Sequence, residues 1–334
     1  MIGWYVHHRG LGHLHRARAV DAELTMPMTV LSSLPQPVDW DIPWVALERD
    51  DQGDPQEPDA REHLHWAPLQ HAGLRTRMAA ISEWIAHTHP RLVVCDVSVE
   101  VALLCRLHGV PVVCVVMPGD RSDAPHRLGY GIATQLVGCW PEEAQSLGAM
   151  VKGIRDADAA RMRLVGAMSR FPVPAPRPRR PGPPRVAVLM GEGGHSLDAT
   201  MLAAARQATP QWEWTILDRE LGTWHDDPFA IGCDADVVVT HAGQNALAEV
   251  AAARRPAVVV PFPRPHGEQH ATAGVLARGP WPAVVVDRWP VVGWGDLLAH
   301  AARLPGALWE SWCDGKAAGR FADIVEETAA RDVM

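Results

Sequence analysis

The chain has 334 residues, 47% of them hydrophobic and 21% charged, which suits two packed domains and excludes a disordered chain. Its formal net charge of -8 excludes broad nucleic-acid binding, which needs basic surface to neutralise phosphates. No apolar run reaches transmembrane length, and MIGWYVHHRG has neither the basic start nor the apolar length of a signal peptide.

In chain order, the first half offers apolar runs at Ile2–Val6, Met28–Leu31, Trp44–Leu47, Leu92–Cys95, Val112–Val116 and Leu136–Cys139. Helical patterns lie between them at His15–Glu23, Gly73–His87 and Val99–His108. Met168 to Arg185 then reads MSRFPVPAPRPRRPGPPR; alternating Pro stiffens it toward polyproline II, so it can continue neither a helix nor a central strand. Residues 1–168 carry 15 Lys/Arg against 20 Asp/Glu, residues 169–185 carry 5 Arg and no acid, and residues 186–334 carry 11 against 19. A basic linker thus joins two acidic bodies, and a solvated tether is the plainer reading because surface ion pairs contribute little. The second half repeats the alternation. Its strands fall at Val186–Met190, Trp212–Leu217, Val237–Val239, Ala257–Val260 and Ala283–Val286, and its helices at Asp198–Gln207, Asn245–Ala253 and Lys316–Ala330. Strand–helix alternation predicts α/β domains with parallel sheets covered by helices on both faces, and ligands at the carboxyl ends of the strands. The six cysteines, Cys95, Cys105, Cys114, Cys139, Cys233 and Cys313, form no CxxC pair and read as buried free thiols of a reducing cytoplasm.

The segment from Asp236 to Gln269, DVVVTHAGQNALAEVAAARRPAVVVPFPRPHGEQ, is the most informative. It reads strand, tight turn at Thr240-His241-Ala242-Gly243-Gln244-Asn245, helix with Glu249 in its second turn, strand, and a Pro-rich loop with Glu268 and Gln269. Gly243 allows close backbone approach, and the helix start points unpaired N–H groups at a ligand, the arrangement that binds phosphate. Glu249 can hydrogen-bond a ribose diol, and Glu268 and Gln269 can reach sugar hydroxyls.

These residues, in this order, resemble the C-terminal half of GT-B nucleotide-sugar glycosyltransferases of the family 28 type, related to the N-acetylglucosaminyltransferase of peptidoglycan lipid synthesis. The family pattern is a His-Ala/Gly-Gly turn, a Glu several residues on, and an acidic residue followed by Gln after the next strand. The resemblance implies two Rossmann-like doubly wound parallel-sheet domains facing across a cleft. Their division would be residues 1–168 on the acceptor side, a linker at 169–185, residues 186–310 binding the nucleotide sugar, and a helix at 311–334 that can pack back on the first domain. The halves echo each other: one strand leads to Gly10-Leu11-Gly12-His13, another to Gly191-Glu192-Gly193-Gly194-His195, each before a helix. In the second turn Gly191, Gly193, Gly194 and His195 are candidates for the diphosphate. Glu192 departs from the family's usual Gly-Ser-x-Gly and would repel diphosphate unless it points away. Trp224, in the loop Leu221–His225, is a candidate for packing against the base.

Gly-x-Gly-His-x-x-Arg-Ala, from Gly10 through His13 and Arg16, is similar to the N-terminal loop of the same family, where the His lies between acceptor and donor. A sugar hydroxyl is a poor nucleophile until a base removes its proton, and a His at a helix start is held in its neutral, basic form. His13 is accordingly the expected base, with His7, His8 and His15 as weaker candidates. Asp96 closes the strand Leu92–Cys95 and can either orient His13 or cap the helix near Val99. Gly10, Gly12, Arg16, Trp66, Asp120 and Arg121 are acceptor-side candidates. No spacing supports a closed metal site, so neither metal nor cofactor is expected.

The resulting expectation is a metal-independent, inverting transfer of a sugar from a nucleotide diphosphate, with UDP the expected nucleotide, to an acceptor hydroxyl. Two alternatives stand beside it. One is a nucleotide-sugar hydrolase whose His activates water, since hydrolases of the pseudaminic acid pathway share the Gly-x-Gly-His-x-x-Arg loop. The other is a non-catalytic nucleotide-sugar-binding protein; an epimerase would need extra cleft carboxylates, which are not identified. The expected partners are the nucleotide sugar and a small-molecule, glycan or lipid-linked acceptor. The expected location is the cytoplasm, with peripheral contact at the inner face of the membrane left open.

Overall fold

The computed structural model describes residues 1–148, 150–175, 180–190, 197–218, 221, 225 and 227–331. The chain forms two compact units. One comprises Met1–Cys139, Lys152–Val165 and Ala318–Met334, the other Trp140–Val151 and Gly166–Ala317.

The first unit is built on a seven-stranded sheet in the order Trp44–Ala46, Met28–Ser32, Ile2–Val6, Leu92–Asp96, Val112–Val116, Gln135–Gly138, Met162–Leu164. Every neighbouring pair is parallel. Its central strands are buried along their whole length, which is why they read as unbroken apolar runs and not as alternation. Helices Gly12–Asp21, Ala72–Thr88, Val99–Leu107 and Ala124–Ile132 follow strands in the crossover positions. The last helix, Ala317–Ala330, completes this unit. Phe321 is fully buried 5.2 Å from the Trp4 ring, Glu326 accepts from the Thr25 N–H, and the Arg91 guanidinium donates to the Ala329 carbonyl.

The second unit carries a five-stranded parallel sheet in the order Glu213–Leu217, Arg185–Leu189, Val237–Thr240, Ala257–Val259, Ala283–Val285. Its core gathers Val186, Val188, Val237, Val239, Val258 and Val260 with Trp289, Trp294 and Leu298. The boundary differs from a cut at residue 168. Residues 140–151 and 311–317 fold with the second unit: the Ala167 N–H donates to the Trp312 carbonyl, and the Trp281 and Trp312 rings meet at 4.7 Å. The described parts of the Pro/Arg stretch are not a free tether. Phe171 stacks on Phe229 at 4.3 Å, Arg170 pairs with Glu249 at 2.8 Å, and Arg180 pairs with Asp234 at 3.0 Å, all within the second unit. All six cysteines are buried free thiols. Among the described residues no helix is long and apolar enough to cross a membrane.

Candidate functional site

Both sheets have a topological switch point, where connections leave adjacent strands toward opposite faces and open a crevice at the strand ends. In the first sheet it lies between Ile2–Val6 and Leu92–Asp96, and the sequence motif falls there. Gly10, at φ +82°, turns the chain out of the first strand, a conformation that favours glycine. The helix starts at Gly12, so His13 stands in its first turn. His13 Nδ1 lies 3.0 Å from Asp96 Oδ1, with the His side chain 16% exposed and the carboxylate 0% exposed. Asp96 is not a helix cap: the Ser98 hydroxyl takes that role, accepting from the Val101 N–H. Of the two sequence readings of Asp96, the helix cap is excluded, and its carboxylate lies against His13 and Arg16. Val97, directly after it, has φ +71°, a strained conformation for a β-branched residue.

Arg16 is corrected from an acceptor contact to an interior group. It is 5% exposed, and its Nη1 donates to both Asp96 oxygens at 2.6 and 2.8 Å. One turn of helix after His13 points it inward onto the same carboxylate. Burial opposes the charged form of Asp96, but Arg16 and then His13 outweigh it and hold the carboxyl below the usual carboxylate range.

Of the groups packed around this site, sequence reasoning named His7 and His8 as weaker base candidates and missed Arg49, Asp50, Asp51 and Arg77. His7 stacks on His8 at 4.8 Å and meets the His13 ring edge-on at 6.0 Å. Burial first, then His13 and His8, push His7 down to about 3, so it is neutral. His8 Nε2 lies 3.1 Å from Asp51 Oδ2, which Arg49 also binds at 2.6 Å. Arg77, fully buried, pairs with Asp50 and donates to the Tyr5 hydroxyl at 2.7 Å. The run Arg49-Asp50-Asp51 just past the third strand was the available signal.

The remaining acceptor-side candidates divide. Trp66 is half-buried, its indole N–H donating to the Asp50 carbonyl, and Glu100 accepts from the His65 and Trp66 backbone N–H groups at 2.7 and 3.0 Å. Asp120 is exposed and accepts from the Ser122 N–H. Arg121 is buried; it donates to the Met117 and Pro118 carbonyls and so shapes its own loop. Beside it His126 Nδ1 lies 2.7 Å from Asp123, His65 Nε2 lies 3.4 Å from Asp123, and the two His rings meet at 4.4 Å. His65, Asp123 and His126 are donor types that bind divalent metals. Arg121 Nη1, however, faces His126 Nε2 at 3.3 Å. That contact leaves the His126 proton on Nδ1, toward Asp123, where a metal would need a lone pair. Burial, with Arg121, moves His126 down to about 4.

In the second unit the switch point lies between Arg185–Leu189 and Val237–Thr240, pinned by the Thr240 hydroxyl donating to the Leu189 carbonyl at 2.7 Å. Gly191, Gly193, Gly194, His195 and Trp224, with Glu192, lie outside the described residues. The His241-Ala242-Gly243-Gln244-Asn245 turn is described. His241 Nδ1 accepts from the Gly243 N–H at 2.8 Å, Ala242 is buried, and the helix runs from Gln244 to Ala252 with Gly243 as its cap. Asn245 is exposed in the first turn. The need for glycine at 243 differs from the expected one. Its φ of -74° suits any residue, but a Cβ would stand 2.2 Å from the His241 ring. Glu249 is held by Arg170; burial raises its carboxyl above the ordinary range, with Arg170 opposing. Gln269 is 4% exposed, and its Oε1 accepts from the Phe262 N–H at 2.9 Å, so its oxygen serves the loop and not a sugar. Glu268 opens the next helix, 3.6 Å from Arg264, after His266 and Gly267 at φ +59° and +65°.

Residues 223–278, which include this turn, match the model of the glycosyltransferase family 28 C-terminal domain. Two curated enzymes are similar over most of the chain. Both are UDP-N-acetylglucosamine–N-acetylmuramyl-(pentapeptide) pyrophosphoryl-undecaprenol N-acetylglucosamine transferases. That of Clavibacter sepedonicus is 30% identical over 68% of this chain and 68% of its own. That of Nitrobacter hamburgensis is 26% identical over 69% and 70%. Among solved structures, the MurG protein of Acinetobacter baumannii superposes with a TM-score of 0.63 at 15% identity, covering 98% of this chain and 99% of that one.

Proposed function

The chain belongs to the GT-B glycosyltransferases of the family 28 type, and from that premise we propose that it moves a sugar from a UDP-linked donor to an acceptor hydroxyl with inversion and without a metal. The observation that carries this reading is the His13–Asp96 pair at the switch point of the first sheet. With Nδ1 turned to Asp96, Nε2 is the nitrogen left to face an acceptor. His13 takes the acceptor O–H proton on Nε2 while the oxygen forms its bond to the anomeric carbon. The bond from that carbon to the diphosphate oxygen breaks on the opposite face, and its electron pair leaves with the nucleotide. Asp96 holds the ring through Nδ1 while Nε2 takes the proton. In the second unit the start of the helix Gln244–Ala252 supplies N–H groups for the leaving diphosphate. Glu249 serves the ribose and Glu268 the sugar. The acceptor class is a hydroxyl on a glycan or lipid-linked sugar, as the names of the curated relatives describe for those proteins.

The test is turnover of a panel of UDP-, GDP- and dTDP-sugars in EDTA, without acceptor and then with small-molecule and lipid extracts. Nucleotide release from a UDP-sugar only when acceptor is present, with inverted configuration in the product, is the expected result. Rapid release without acceptor would replace the transferase reading with hydrolysis, and release abolished by EDTA would overturn metal independence.

A further inference from the structure

We propose that Arg16 is a positioning residue that neutralises the buried Asp96 carboxylate, so that Asp96 can fix the orientation of His13 without trapping a proton on its ring. The inference rests on His13 being the base proposed above.

A carboxylate alone beside an imidazole does two things. It holds the ring by its Nδ1–H, and it stabilises the protonated ring; only the first helps a base before reaction. Here the carboxylate is completely buried, where charge interactions are screened least. Arg16 meets it through both oxygens at 2.6 and 2.8 Å, while His13 Nδ1 meets one oxygen at 3.0 Å. The pair facing His13 therefore carries no net charge. The other titratable groups around the site are two paired sets, His8 and Arg49 with Asp51 and Arg77 with Asp50, and then His7 and Cys139. His7 meets the His13 ring at 6.0 Å and is held neutral, and the Cys139 thiol, kept protonated by burial, bonds Arg16. Neither replaces the cation. The helix supplies the coupling: residues three apart on one turn place the base and the guanidinium against the same carboxylate, which is why Arg follows His at that spacing.

Charge counting gives a test with signs. The wild-type pair has net charge zero, Arg16→Met leaves -1, Asp96→Asn leaves +1, and the double variant returns to zero. The His13 ring nitrogens would be followed by NMR in the full-length, ligand-free protein, assigned by difference from His13→Ala, while pH is varied. Arg16→Met is expected to raise the proton affinity of His13 by about ten- to a hundredfold, and Asp96→Asn to lower it by a similar factor. The double variant should return close to wild type, and Arg16→Lys should keep most of the wild-type behaviour. If Arg16→Met does not fold, Asp96→Asn against Arg16→Lys and the double variant carries the same sign test. Folded variants that leave the His13 titration unmoved, or move it in one direction for both charge changes, would reduce Arg16 to a packing residue and overturn the proposal. The titration needs no substrate. A protein that turned over no nucleotide sugar would defeat the transferase reading while this one stood or fell on its own.

Discussion

The two units solve one topological problem with different chemistry. Each has a parallel sheet, a switch point and a helix beginning at the strand end. In the first unit the polar groups at that point are side chains bound to one another: His13 to Asp96, Asp96 to Arg16, His8 to Asp51, Arg77 to Asp50. In the second, beside the pairs Arg170–Glu249 and Arg264–Glu268, described side chains hold the backbone: His241 fixes the Gly243 N–H, Gln269 fixes the Phe262 N–H, and the Thr240 hydroxyl ties two strand ends. In the reading proposed above, the helix start at Gln244 is the donor-side group. A site for moving protons needs titratable groups held in fixed orientation, whereas a site for an anion needs preorganised N–H groups. The same architecture serves either, according to which atoms the local contacts consume.

The largest expected break between the two is His13→Ala. Turnover should fall about a thousandfold through loss of the base, while UDP affinity, read by calorimetry, should be unchanged. A matching loss of nucleotide affinity would merge the two roles. Gly243→Ala should do the reverse. The new methyl lies 2.2 Å from the His241 ring, so the ring must move and release the Gly243 N–H. UDP affinity is expected to drop about tenfold, with a stability loss of about 1–3 kcal/mol from overpacking; an unaffected affinity would remove the helix start from the donor site. Gln269→Leu leaves the buried Phe262 N–H without its acceptor and should cost about 1–2 kcal/mol in chemical denaturation.

Acid separates the units more gently. His7 and His126 have folded values of about 3 and about 4, below the ordinary 6.5. Below 6.5 the unfolded chain binds protons that the folded first unit refuses. Their contribution is therefore complete above that pH and is lost as pH falls toward 4 and then 3. Glu249, in the second unit, is shifted upward by burial, so its linkage has the opposite sign and favours the folded state as pH falls. Hydrogen exchange at mildly acidic pH should show the first unit loosening first, and His7→Gln should flatten that trend. Simultaneous loosening of both units would contradict it.

Much of this was legible in the sequence because buried parallel strands are written as short continuous apolar runs. Ile2–Val6 and Val112–Val116 keep their expected bounds, and the rest of the expected strands shift by one residue at one or both ends. The edge strand Met162–Leu164 escaped because it is short and only partly buried, without an apolar run to announce it. The helix Glu268–Leu276 escaped because two left-handed residues bring the chain into it from a Pro-rich loop. The Gly-x-Gly-His turn and the HAGQN turn were readable because their meaning lies in spacing along a strand–turn–helix unit, and spacing is local. What the sequence by itself determined was therefore two parallel α/β units, the turns at their strand ends, and His13 with its place at a helix start.

Only the tertiary structure decided which residue answers which. It took Asp96, 83 residues from His13 in the chain, to that ring, and turned Arg16 from a surface cation into its buried counter-ion. It placed Arg170 on Glu249 and residues 140–151 in the second unit. These are choices of partner between distant segments. A charged side chain is read from sequence without its partner, and burial makes the partner decisive, because a buried charge persists only where another group compensates it.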